Sequence, residues 1–193
     1  MTVRRLIIGG ARSGKSRFAE SLLADAAAVE YVATSEIRTD DPEWTARVAA
    51  HVARRPSHWR TTETTDLVAV LERRDPGVAL VDCLTVWLTR QMDATGCWES
   101  EASAGPADPD RRPSAPTDAL DRLNSHITAL VTALTATSRD VVAVTNEVGQ
   151  GVVPPTASGR LFRDQMGICN ARVAAAVDEV WWVVAGIPTR IKG

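Results

Sequence analysis

Apolar positions along this chain follow two alternating rhythms. Nearly unbroken apolar runs at residues 6–8 (LII), 29–33 (VEYVA), 78–81 (VALV), 140–145 (DVVAVT) and 179–185 (EVWWVVA) have the length and β-branched content of buried strands. Between them, apolar residues three and four apart predict helices at 15 to about 27 (Phe18, Leu22 and Leu23 inward), about 42 to 54, 66–74, 84–92, 118–136 and about 158 to 177. Asp41 and Pro42 supply a cap and a first helical position, and Pro56 ends that helix before an extended segment at 57–63. A short closing strand is expected at 186–191. Strands alternating with helices predict an α/β fold: a mostly parallel sheet with helices on both faces. Residues 93–117 break both rhythms with Gly, Pro, Ser and acidic residues, and read as a long mobile surface loop within a single domain spanning 1–193.

The first strand feeds the stretch GGARSGKS, residues 9–16, in which Gly9, Gly14, Lys15 and Ser16 satisfy G-x-x-x-x-G-K-[ST]. Strand before and helix after are the context a phosphate-binding loop requires. Backbone N–H groups of Gly9, Gly10, Ala11, Arg12, Ser13 and Gly14 would face β- and γ-phosphates at the positive end of a helix. Lys15 adds a point charge as a catalytic group, and Ser16 offers a hydroxyl to Mg2+.

Composition sharpens this reading. Of 22 basic residues only two, Lys15 and Lys192, are lysines, so the motif lysine stands out in a chain that otherwise uses arginine. A net charge of -2 gives no general attraction to nucleic acid, which is therefore not an expected partner. Three cysteines without C-x-x-C spacing point to a reducing compartment. No apolar run approaches the ~20 residues of a membrane span, so a cytoplasmic protein is expected.

Other candidates cluster after strands, where open α/β sheets bind ligands. Thr34 and Ser35 follow the second strand, either as nucleotide contacts or as an ordinary hydroxyl-rich turn. Asp82 directly follows an apolar strand, the position from which a carboxylate holds Mg2+ or its water in phosphate-loop proteins. Gly149 and Gly151 follow the 140–145 strand and permit close backbone approach to a ligand. Arg47, His51 and Arg55, spaced i, i+4, i+8, would share one helix face. Spacing alone leaves His51 open between a surface histidine among solvated arginines and a neutral nucleophile toward phosphorus.

Taken in order, GGARSGKSR (9–17), YVATS (31–35), H-x-x-x-R-P-x-x-W-x-T-x-E (51–63), VDCLT (81–85), TNEVGQGVVP (145–154), FRD-x-x-G-x-x-N (162–170) and the block at 176–188 resemble one family over almost the whole chain. It is the bifunctional adenosylcobinamide kinase / adenosylcobinamide-phosphate guanylyltransferase family of cobalamin biosynthesis. The resemblance implies a RecA-like P-loop fold, homotrimers and two reactions. Adenosylcobinamide is phosphorylated with ATP or GTP, and GMP from GTP is then moved onto adenosylcobinamide-phosphate through a GMP-histidine. The match implies that His51 is this catalytic histidine. It also implies nucleotide contacts from Thr34, Ser35, Glu36, Val52, Ala53, Arg54, Arg55, Glu63 and Asp82, with Mg2+ held by Ser16 and Asp82. This chain departs from many relatives at Ala50, at Ala171 and in the length of its 93–117 segment. A monofunctional P-loop kinase and a nucleotide-driven switch are the competing classes, neither of which needs a covalent histidine.

Overall fold

The computed structural model describes residues 2–35, 55–98 and 117–193. Among them a seven-stranded sheet is built from β1 (Arg4–Gly9), β2 (Val29–Ala33), β3 (Arg60–Glu63), β4 (Val78–Asp82), β5 (Val141–Asn146), β6 (Glu179–Val184) and β7 (Ile187–Lys192). The helices are α1 (Lys15–Ser21), α2 (Leu67–Glu72), α3 (Leu84–Thr95), α4 (Thr117–Ala136) and α5 (Ala157–Ala176). Strand order is β3-β2-β4-β5-β1-β6-β7, parallel throughout except for the β6–β7 hairpin.

Alternation along each strand splits the core in two. Leu6, Val32, Val81, Val141 and Ala143 pack on one face with α2, α3, α4 and α5. Ile7, Tyr31, Leu80, Val142 and Val144 pack on the other, with Ala19 and Leu23. Helices on both faces are thus observed, as the pattern predicts. Helix starts follow capping chemistry: Asp66 accepts from the N–H of Ala69 at 3.0 Å, and Thr156 from that of Gly159 at 3.1 Å.

Two boundaries differ from the sequence reading. α1 stops at Ser21 instead of about 27, because Leu23, Ala24 and Ala26 bond back only three residues and tighten the chain toward β2. α3 runs past Met92 to Thr95, where Gly96 adopts φ 75 and its N–H bonds to the carbonyls of Met92 and Asp93. The chain then turns inward: Cys97 is fully buried, and Trp98 Nε1 donates to Asp93 Oδ1 at 2.6 Å. Residues 93–98 therefore belong to the packed structure and not to the expected mobile loop. The rest of that loop through 116, and the helix expected at about 42 to 54, lie outside the described residues.

Candidate active site

Six parallel strands end along one rim, and their registers align the candidate residues. Gly9 pairs with Asn146 on one side and Val183 on the other, while Ala33 lies between Glu63 and Asp82. β5 therefore separates the loop-bearing strand from the strand that carries Asp82.

The phosphate loop is built from both neighbours. The Glu147 N–H donates to the Gly9 carbonyl at 3.1 Å, and the Gly186 N–H to the Ser13 carbonyl at 2.8 Å. A side chain cannot replace hydrogen at Gly9, since a Cβ there would sit 2.5 Å from the Val183 carbonyl oxygen. Gly14 takes φ 92 as the chain enters α1, a conformation that favours glycine, and Arg12 is held at φ 55. Lys15 Nζ donates to the Gly10 carbonyl at 3.1 Å, folding the lysine back over the loop. Ser16 follows on the first turn of α1. Ser13 is buried, and its hydroxyl has no hydrogen-bond partner among the described residues.

At the ends of β2 and β4, Thr34 is buried and its hydroxyl both donates to the Cys83 carbonyl, at 2.8 Å, and accepts from the Cys83 N–H, at 3.0 Å. It braces the turn that follows Asp82. Ser35 is half-buried and Glu63 exposed at the same rim. Burial, and then the charge of Asp82, push the Cys83 thiol up, which keeps it protonated and unreactive beside the site.

Two residues that the sequence reading did not nominate also stand here. Tyr31, two positions before Ala33, donates its hydroxyl to Asp82 Oδ2 at 2.7 Å, and the Arg55 guanidinium carbon lies 3.3 Å from its ring centre. Burial, with the Asp82 charge and hydrogen bond, drives the Tyr31 hydroxyl far above its ordinary value. Asn146 is clamped by its backbone: its N–H donates to Thr85 Oγ1 at 2.8 Å and its carbonyl accepts from Asn170 Nδ2 at 3.0 Å. Asn170 in turn accepts from Thr145 Oγ1 at 2.8 Å, while Asn146 Oδ1 is buried without a partner among the described residues. Asn146 leads the TNEVGQG block, so its position after an apolar strand was the available signal.

Gly9 to Ser16, Thr34, Ser35, Glu63 and Asp82 are thus brought to one rim, and Arg55 is joined to Asp82 through Tyr31. Glu36, His51, Val52, Ala53 and Arg54 lie outside the described residues.

Residues 5–191 match the family described as cobinamide kinase / cobinamide phosphate guanyltransferase. The chain belongs to this family. Two bifunctional adenosylcobalamin biosynthesis proteins illustrate the likeness. CobU of Salmonella typhimurium is 42% identical over 97% of this chain and 98% of its own. CobP of Pseudomonas aeruginosa is 37% identical over 99% and 98%. A kinase and nucleotidyltransferase of cobalamin biosynthesis, the class expected from the sequence, is the class of this family. The RecA-like P-loop fold has a structural counterpart: a prototypical ATPase from the type III secretion system of pathogenic bacteria superposes with a TM-score of 0.54 at 14% identity. The superposition covers 93% of this chain and 50% of that ATPase.

Proposed function

We propose that this chain phosphorylates adenosylcobinamide and then guanylylates the product, using one phosphate-binding rim for both nucleotides. The observation that carries the reading is the family match over residues 5–191 joined to an assembled phosphate loop with Lys15 folded over it. In the kinase step the acceptor hydroxyl oxygen attacks the γ-phosphorus of ATP or GTP; a new O–P bond forms as the nucleoside diphosphate leaves. Loop N–H groups and Lys15 orient and neutralise the phosphates. In the second step His51 attacks the α-phosphorus of GTP and pyrophosphate leaves. An oxygen of adenosylcobinamide-phosphate then displaces the histidine, giving adenosylcobinamide-GDP.

Mg2+ belongs to this reading. Ser16 and Asp82 would hold it, and both offer the hard oxygen donors it prefers. No cluster of three or more His, Cys, Asp or Glu able to hold a metal occurs among the described residues. That suits an ion carried largely by nucleotide phosphates. When bound, it neutralises charge on the β- and γ-oxygens.

A homotrimer in the cytoplasm completes the proposal. Among the described residues no helix is long and apolar enough to cross a membrane. Trp182 and Val184 of β6 and Ile187 and Ile191 of β7 leave an apolar strip exposed at the sheet edge, which supports self-association. Light scattering of the eluted protein measures the subunit number.

The decisive experiment uses α-labelled GTP followed by denaturation. Wild type should retain an acid-labile, base-stable label. His51→Ala should lose label and guanylylation yet keep kinase activity within about tenfold, roughly 1.4 kcal/mol of barrier. His58→Ala and His126→Ala should stay labelled. A labelled His51→Ala, or a wild type that forms the GDP product without ever carrying label, would replace the covalent route by direct transfer between two bound substrates.

A further inference from the structure

Two of the nominated residues, Asp82 and Arg55, meet through a third that has no role in the scheme above. Tyr31 is only 3% exposed, at the middle of β2. Its ring is what core packing needs, and phenylalanine would supply that equally. The hydroxyl must find a partner when buried, and it finds a carboxylate oxygen at 2.7 Å, the distance of a charge-assisted bond. The opposite use is made of the ring. Arg55 lays its guanidinium carbon 3.3 Å from the ring centre, and its Nη1 donates to Thr61 Oγ1 of β3 at 3.3 Å. Arg55 Nε is buried with no partner among the described residues, so the stacked geometry is kept although one donor goes unused.

We infer that Tyr31 is a positioning residue of the phosphate-transfer site, its hydroxyl fixing the orientation of Asp82 and its ring seating Arg55. One side chain thereby sets the relation between an acid at the end of β4 and a guanidinium at the entrance to β3. The inference rests on the reading of Asp82 as a metal-holding acid and Arg55 as a nucleotide contact. It goes beyond that reading because it makes the two depend on a residue to which that reading gives no part.

The two halves separate by substitution in the full-length protein. Binding of Mn2+ in the presence of a non-hydrolysable GTP analogue, followed by the electron paramagnetic resonance of free Mn2+, reads the acid without turnover. Steady-state kinase kinetics read the nucleotide. Tyr31→Phe keeps the ring and removes the bond, so the Mn2+ dissociation constant should rise about five- to tenfold, part of the value of that bond being passed to the metal through Asp82, with KM for GTP within about twofold. Arg55→Ala should do the reverse, raising KM for GTP about tenfold with Mn2+ affinity within about twofold. Tyr31→Leu removes the ring and should show both losses; should it fail to fold, Tyr31→Met takes its place. Asp82→Asn sets the reference. If Asp82→Asn weakens Mn2+ binding and Tyr31→Phe does not, the hydroxyl half is overturned while the reading of Asp82 stands. If Asp82→Asn leaves Mn2+ binding unchanged, the reading of Asp82 fails and takes the hydroxyl half with it. An unchanged KM in Arg55→Ala overturns the reading of Arg55 and the ring half with it; a raised KM in Arg55→Ala with an unchanged KM in Tyr31→Leu or Tyr31→Met overturns the ring half alone.

Discussion

The two ends of the sheet bury polar groups for opposite purposes. Toward the amino-terminal end, Glu30 of β2 has a side chain 1% exposed and accepts from Thr62 Oγ1 at 2.7 Å, Arg139 Nη1 at 2.7 Å and Arg73 Nη1 at 3.1 Å, with Arg60 Nη2 also 3.1 Å away. Arg139, its side chain wholly buried, gives three further donors to the carbonyls of Val70 and Gly77. At the carboxyl-terminal rim, Ser13 Oγ and Asn146 Oδ1 are buried without partners among the described residues, and Arg12 holds a left-handed backbone. A satisfied buried network is costly to interrupt, whereas unsatisfied groups and strain lower the stability of the folded chain until a ligand completes them. The Glu30–Arg139 cluster therefore reads as the part that holds the sheet together, although Arg4 Nε and Trp59 Nε1 near the same end are also buried without partners among the described residues. The rim reads as the part kept ready for phosphate.

The comparison breaks most visibly at Lys15. Lys15→Ala should lower both reactions by about 10³-fold or more, since each transition state places charge on phosphates that this ammonium faces. Lys15→Arg should not restore them, because a planar guanidinium cannot fold back over the loop as Nζ does at Gly10. The melting temperature should move little. Near-normal turnover in either reaction would reduce residues 9–16 to a structural turn.

At the other end the signs exchange. Glu30→Gln leaves the Arg139 charge buried without its anion and should cost about 3–5 kcal/mol of stability, while turnover per folded molecule stays near wild type. Burial alone would raise the Glu30 pKa, but hydrogen bonds from Thr62 and Arg139 and the charges of Arg139 and Arg60 outweigh it and hold the carboxyl below its ordinary 4.5. A depressed folded value means that this contribution is present above the unfolded value and is lost as pH falls through the folded one. Wild type should thus lose it in acid below about pH 4.5, and Glu30→Gln should show a shallower acid slope. Urea midpoints against pH measure this. Loss of activity without loss of stability would place Glu30 in the functional half instead.

A smaller effect separates residues 93–98 from the rest of the 93–117 segment. Replacing 96–114 with a Gly/Ser linker removes the left-handed Gly96 and the buried Cys97, and should cost about 2–3 kcal/mol. A linker that replaces only 99–114 should leave the melting temperature nearly unchanged, since loop length itself costs little. Equal losses in the two would mean that residues beyond Trp98 pack as well.

How far the chain could be read in advance follows the same division. Strand positions and the helical period were legible because burial writes them into local patterns, as at Val29–Ala33 and Val78–Asp82. The phosphate loop was legible because its geometry admits few residues, as the 2.5 Å approach at Gly9 illustrates. Cys97 was not, since the pair Cys97–Trp98 is too short to show a period and its burial is decided by Gly96 turning the chain. Tyr31 was hidden by its own strand: in VEYVA it reads as core, and only the register of β2 with β4 brings its hydroxyl to Asp82. Glu30 and Arg139 are 109 residues apart, and nothing local announces their pairing.

The finest test of the comparison is Ser13→Ala. Ser13 Oγ is buried, lies where a Cβ on Gly9 would approach to 2.7 Å, and has no partner among the described residues. Deleting a satisfied buried hydroxyl strands its partner and costs about 1–3 kcal/mol; deleting an orphan strands nothing and removes a desolvation penalty. Ser13→Ala should therefore leave stability unchanged or raise it by up to about 1 kcal/mol. If the hydroxyl is held for a phosphate oxygen, the same change should weaken GTP about ten- to hundredfold, the value of one hydrogen bond to a charged group, and the stabilisation by saturating nucleotide should shrink with it. Thermal shifts with and without GTP measure both on one sample. A drop in stability without nucleotide would give Ser13 a structural bond, and the rim would then resemble the amino end more than it differs.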